Sequence, residues 1–173
     1  MKQREAEEKN KREAKLLAGI LKQKNRKIVF AESCTAGLVS ASLAKVPGIS
    51  EYLCGSAVVY RIETKRQWLG LNDHILKNNG AVNAEVAKAM VEKVLRKTPE
   101  ADIAASITGY LGPSAPKAQD GRCFLAVASK KKRPITKEIF ILPRSKKSRE
   151  LRQVLASQAV LFMVRSLLTS RQI

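Results

Sequence analysis

The spacing of hydrophobic and polar positions changes several times along this chain, and each change predicts an element. Residues Ala6–Gln23 carry Leu16, Leu17, Ile20 and Leu21 at helical spacing, which predicts an opening helix in a charged segment covering residues 1–26. The apolar run Lys27–Ala31 predicts a short strand, and Thr35–Lys45, rich in Ala and Ser, a helix. Pro47-Gly48 interrupts the chain before a second strand over Leu53–Tyr60. Glu63–Leu69 and Asn72–Lys77 read as two short helices, and Asn83–Lys97 as a longer one capped by Asn83. Three more strands are expected at Ala101–Thr108, Cys123–Ser129 and Thr136–Leu142, with Lys130–Pro134 as the hairpin connection between the last two. Ser148–Leu168 closes the chain as an amphipathic helix with Leu151, Leu155, Ala159, Phe162, Leu167 and Leu168 turned inward.

No internal repeat is visible. The alternation predicts a single α/β domain over residues 1–173. Its expected form is a three-layer α/β/α sandwich with a mixed, mostly parallel sheet of about five strands, the terminal hairpin making it mixed.

At 173 residues, 45% of them hydrophobic, the chain can build a core without disulfide staples. Cys34, Cys54 and Cys123 are odd in number, widely spaced and without a Cys-x-x-Cys pair. That usage fits a reducing cytoplasm and argues against structural zinc, while a single histidine, His74, argues against a transition-metal catalytic site. No stretch approaches the roughly 18 apolar residues of a membrane span, and the charged start predicts no secretory signal.

The net charge of +18 changes the picture. Basic residues concentrate between Lys2 and Lys27 and between Lys130 and Arg152, including Arg144, Lys146 and Lys147. A field of this sign attracts phosphorylated ligands and nucleic acid. A solvated face with nonspecific polyanion affinity is the plainer account. Few aromatics accompany the charge, so no base-stacking platform is expected, and no nucleic-acid-binding signature is present.

The chemistry concentrates in Ala31-Glu32-Ser33-Cys34-Thr35-Ala36-Gly37, where a predicted strand ends in a small, hydroxyl-rich turn and re-enters as a helix. Backbone N–H groups at such a helix start favour an anion or a developing oxyanion. Ser33 stands where a strand–turn–helix elbow presents a nucleophile, although Ser33 or Thr35 as a plain helix cap fits the same residues. Two more loops gather at strand ends, Tyr60–Lys65 and Thr108–Pro116. Amide hydrolysis needs a nucleophile, a proton acceptor and oxyanion donors. His74 lies at an expected surface helix start and is a poor triad partner. Lys65 is the better base if partly desolvated; otherwise it is a solvated lysine on a short helix. Tyr60 is either a core-edge aromatic or a hydrogen-bonding partner of Ser33 and Lys65.

The heptapeptide, together with Gly55-Ser56-Ala57-Val58-Val59-Tyr60, Lys65, and Thr108-Gly109 with Gly112-Pro113, resembles the CinA C-terminal-domain family of nicotinamide-nucleotide amidohydrolases (NMN deamidases). The similarity runs from about Ile28 to Leu168. The resemblance implies a cytoplasmic Ser/Lys amidohydrolase, without metal or cofactor, that converts nicotinamide mononucleotide to nicotinate mononucleotide and ammonia. It assigns Ser33 as nucleophile, Lys65 as base and Tyr60 as an assisting residue. Thr35, Ala36, Gly37, Thr108 and Gly109 would line the nucleotide pocket, and Arg152 would hold phosphate. A small nucleotide is the implied partner, in a homo-oligomer that stands alone without the extra domain of longer members. Two departures mark this chain: Tyr110-Leu111 and Ser114-Ala115-Pro116 replace a more Gly-rich loop, and Arg61-Ile62 replace small polar residues. A catalytically lapsed member that binds nucleotide or nucleic acid is the alternative.

Overall fold

The computed structural model describes residues 2–78, 80–141, 149–170 and 172–173. Helix α1 (Gln3–Lys24) leads into strand β1 (Ile28–Glu32), helix α2 (Leu38–Ala44) and strand β2 (Leu53–Val58). Helices α3 (Ile62–Leu69), α4 (Asp73–Asn78) and α5 (Ala84–Lys97) follow, then strands β3 (Ile103–Gly109), β4 (Arg122–Ser129) and β5 (Lys132–Phe140), and helix α6 (Arg149–Thr169). The expected elements are all present. Ser148, Arg144, Lys146, Lys147 and Leu142 lie outside the described residues.

The five strands are ordered β2-β1-β3-β4-β5, with β1 parallel to both neighbours and the β4 pairings antiparallel. Four strands therefore point one way and β4 points back. Alternation along β1 explains the two cores, since successive side chains of a strand face opposite sides. Ile28 and Phe30 pack with α1 and α6 residues such as Leu17, Leu21 and Leu161, while Val29 and Ala31 pack with Val86, Met90 and Val91 of α5. The result is the expected three-layer α/β/α sandwich, with the carboxyl ends of β1, β2 and β3 at one edge.

Two boundaries and one buried face differ from expectation for physical reasons. Helix α2 begins at Leu38 rather than Thr35, because Ala36 and Gly37 adopt positive φ (51° and 96°) and no α-helix continues through them. Strand β5 begins at Lys132, so the hairpin turn is shorter than Lys130–Pro134; Pro134 is tolerated because β5 is an edge strand. In α6 the inward face was misassigned. Phe162 is exposed, Leu151, Leu155 and Ala159 are half-buried, and Val154, Ala156, Val160, Leu161, Met163 and Val164 are the buried apolar positions beside Leu167 and Leu168. The helix is covered by the sheet on one side and by α1 and α2 on another, so its sequence is apolar over most of its circumference. By length and composition α6 would pass as a membrane span, but 56% of that stretch is buried in this core.

Candidate active site

The turn after β1 is organised by a buried carboxylate. Glu32 continues the strand and is almost wholly buried. Its oxygens accept from the N–H groups of Gly37, Val39 and Ser40 at 2.9–3.0 Å, from Thr35 Oγ1 at 2.8 Å and from Ser56 Oγ at 3.1 Å. A buried charge persists only when its lone pairs are satisfied, and here the start of α2 supplies the donors. This corrects the expectation that the helix start is open to an outside anion: an internal one occupies it. Thr35 is thereby a donor to Glu32 and not a free hydroxyl.

Ser33 follows at the strand end, its N–H donating to Ile107 of β3 at 3.0 Å, and is 7% exposed. Lys65 reaches it from α3. Its Nζ lies 2.9 Å from Ser33 Oγ, 2.9 Å from the Val59 carbonyl and 3.4 Å from the Tyr60 carbonyl. Lys65 is 1% exposed, which excludes the solvated reading. Burial brings its pKa down from 10.5 to about 8, the neighbouring Cys34 thiol opposing the shift.

Ser33, Cys34, Tyr60, Lys65, Gly109 and the Tyr110–Gly112 turn line a cleft of about 250 Å³, with Arg149 of α6 at its edge. Tyr60 is 52% exposed. Its side chain does not touch Ser33 or Lys65 in the described hydrogen bonds; its hydroxyl instead accepts from Arg149 Nη2 at 2.7 Å. Arg149 also donates to the Gly112 carbonyl, so one guanidinium ties the β2 exit and the β3–β4 loop across the cleft mouth. The bulkier loop forms this wall, with Leu111 anchored in the core.

The remaining predicted residues are mostly framework. Ala36 and Gly37 shape the turn, and Thr108 is buried and donates to the Ala81 carbonyl at 2.9 Å. Gly109 lines the cleft, and a Cβ there would stand 2.3 Å from Cys123 Sγ. Arg152 is 1% exposed and holds both oxygens of Asp120, at 2.6 and 2.9 Å. That pairing corrects its reading as the phosphate holder: its guanidinium is turned into the fold, and Arg149, one turn earlier, is the α6 cation at the cleft. Glu32, Asp120 and Arg149 were the residues missed. The signal for Glu32 was a charge ending an apolar run, which predicts a buried, partnered carboxylate.

The family model for the CinA C-terminal domain matches residues 10–168. A CinA-like protein of Endomicrobium trichonymphae is 42% identical over 119 residues, covering 67% of this chain and 28% of that protein. A CinA-like protein of Mycobacterium tuberculosis is 46% identical over 101 residues, covering 58% of this chain and 22% of that protein. The chain thus spans about a quarter of the length of the curated relatives it matches. Among solved structures, a competence-damaged protein (CinA) superfamily protein from Klebsiella pneumoniae superposes with a TM-score of 0.85 at 21% identity, over 93% of this chain and 98% of that one. The competence/damage inducible protein CihA from Agrobacterium tumefaciens gives 0.85 at 24% identity, over 92% and 95%. At these identities the structural likeness speaks for the fold.

Proposed function

We propose, on the premise that this chain belongs to the CinA C-terminal-domain family, that it is a Ser/Lys amidohydrolase. Its substrate would be nicotinamide mononucleotide, its products nicotinate mononucleotide and ammonia. The observation that carries this reading is the buried Lys65 amine at 2.9 Å from Ser33 Oγ. No ion pair to Lys65 occurs among the described residues, so nothing but backbone carbonyls and the serine competes for its protons.

In its neutral form Lys65 accepts the Ser33 proton as Oγ attacks the carboxamide carbon. The tetrahedral adduct then collapses, the C–N bond breaks, and the Lys65 ammonium returns the proton to the departing ammonia. Water attacks the resulting ester by the same route and frees the carboxylate. The N–H groups of Ala36, Gly37, Leu38, Val39 and Ser40 are already taken by acceptors within the turn. The oxyanion would therefore fall to the N–H groups of Cys34 and Thr35 beside the nucleophile. Arg149 is the candidate for the phosphate, with Tyr60 as its partner at the mouth.

Ammonia release from nicotinamide mononucleotide, compared between the protein and Ser33→Ala, tests this reading. Release that depends on Ser33 supports it. Binding of the mononucleotide without release would assign the chain to the lapsed, nucleotide-binding alternative.

A further inference from the structure

We propose that the end of the domain opposite the Ser33 cleft is a phosphate-backbone surface that seats a nucleic-acid duplex, independently of the hydrolase reading. Strand β4 runs from Arg122, whose neighbour Cys123 pairs with Gly109 of the cleft, to Ser129 at the far end. Seven residue steps at about 3.3 Å set the two ends roughly 23 Å apart. At the far end lies a groove of about 560 Å³ between the end of α5 and the β4–β5 hairpin. Arg96, Lys130 and Lys132 line it with one carboxylate, Glu92, beside the apolar Leu95, Pro99 and Pro134, and the Lys130 amine donates to the Pro99 carbonyl.

Three features point to a polyanion. First, the cations continue beyond the groove: Lys97, Lys131 and Arg133 are exposed on the same two elements. Second, the acidic residues nearby are already engaged elsewhere, Asp102 with Arg26 at 3.3 Å and Glu100 with Lys27 at 3.1 Å. Third, the Ser129 hydroxyl lines the groove and, among the described residues, is the buried side-chain oxygen left without a hydrogen-bond partner. A hydroxyl between cations is a donor set suited to phosphate oxygens.

The chemistry of the lining selects the class of polyanion. Among the described residues the large exposed hydrophobics are Leu16, Tyr60, Ile62, Trp68, Phe140 and Phe162, and the groove contains none of them. A base-stacking single-strand site needs aromatics, and a membrane surface needs apolar anchors beside its cations. The apolar part of the lining is Leu95, Pro99, Ala128 and Pro134, with no aromatic and no large exposed side chain, and the cations around it fit the regularly spaced phosphates of a duplex, read without sequence preference.

The experiment is fluorescence anisotropy with a labelled duplex of about 20 base pairs and arbitrary sequence, between about 50 and 200 mM salt. The protein is compared with Arg96→Gln/Lys130→Gln/Lys131→Gln/Arg133→Gln and with a control of equal charge change on α1 and the residue that caps it, Lys2→Gln/Arg4→Gln/Lys11→Gln/Lys15→Gln. The groove variant should lose about tenfold or more in affinity, with a log–log salt slope shallower by about 3 to 4 (−0.9 per phosphate). The α1 control should stay within about threefold of the parent, as expected for a long-range charge effect screened at these salt concentrations. Circular dichroism checks folding, and Lys131→Gln/Arg133→Gln, both exposed, carries the same comparison should the fourfold variant misfold. Equal losses in both variants would reduce the surface to net charge and overturn the proposal. So would retention on phosphatidylserine vesicles with no duplex binding, or tighter binding of the same strand unpaired.

Discussion

The amine of Lys65 and the hydroxyl of Ser33 stand 2.9 Å apart in a site where the amine's other acceptors are the Val59 and Tyr60 carbonyls. Carbonyls stabilise an ammonium less than a carboxylate does, so burial dominates and the amine loses its proton easily. With the pKa at about 8, a useful fraction is neutral near physiological pH.

The first prediction is a pH profile. kcat/KM should rise with pH, with an apparent pKa near 8, and level off above it, because only the neutral amine accepts the serine proton. Stability should carry the same signature. The folded-state value lies below the unfolded one, so the unfolded chain binds more protons between about pH 8 and 10.4, and unfolding becomes harder as pH rises through that window. The full effect is on the order of 3 kcal/mol. Urea titrations across the window should show it for the protein and not for Lys65→Met.

The second prediction separates the two members of the pair. Ser33→Ala should abolish ammonia release and keep the fold, since a hydroxyl at a turn contributes at most about 0.5–2 kcal/mol. Lys65→Arg should be nearly as damaging to turnover, because a guanidinium does not give up its proton. An Arg variant with most of its activity would make Lys65 an electrostatic anchor and require another base.

Much of this was legible from the chain and some was not. The continuous apolar run Ile28–Ala31 and the small-residue turn before α2 fix strand and elbow locally, so the sheet edge could be read directly, while Ser33 stayed open between nucleophile and helix cap. The strand-end reading gathered Lys65 with Ser33 but left it between a base and a solvated lysine, because its burial depends on α3 packing over the β2 exit. Arg152 and Arg149 are one helical turn apart, and nothing local says which of them faces Asp120 and which the cleft. The direction of Tyr60 was hidden for the same reason: its hydroxyl is held by Arg149, 89 positions away in sequence.

Glu32 supplies the third prediction. Glu32→Ala would orphan donors from Gly37, Val39, Ser40, Thr35 and Ser56 in a buried turn. We expect a loss of about 3 kcal/mol or more, read as a lower urea midpoint, together with loss of turnover as the Ser33 elbow loosens. Glu32→Gln should fall between, since it keeps one carbonyl oxygen but turns an NH2 group towards N–H donors. A Gln variant as stable as the parent would show that the negative charge is not what holds the start of α2.

The last prediction assigns the two arginines of α6. Arg152 is buried against Asp120, and a Cβ added at Gly112 would come 2.8 Å from its Nη1, so its guanidinium braces the loop that forms the cleft wall. Asp120→Asn weakens the ion pair around a buried cation, a change that costs about 3 kcal/mol when the pair is well desolvated and less here, since Asp120 is 21% exposed. Arg149 lies at the mouth with its donors on Tyr60 and Gly112, and a phosphate could displace either contact. Arg149→Gln should therefore raise KM for nicotinamide mononucleotide by about tenfold or more, the worth of one charge-assisted hydrogen bond. It should leave KM for the dephosphorylated riboside nearly unchanged. Arg152→Gln should lower the melting temperature while preserving the ratio of the two KM values. The opposite pattern, with Arg152 setting that ratio, would mean that the Asp120 pair opens when substrate binds and that the phosphate site lies beneath the loop instead of at its rim.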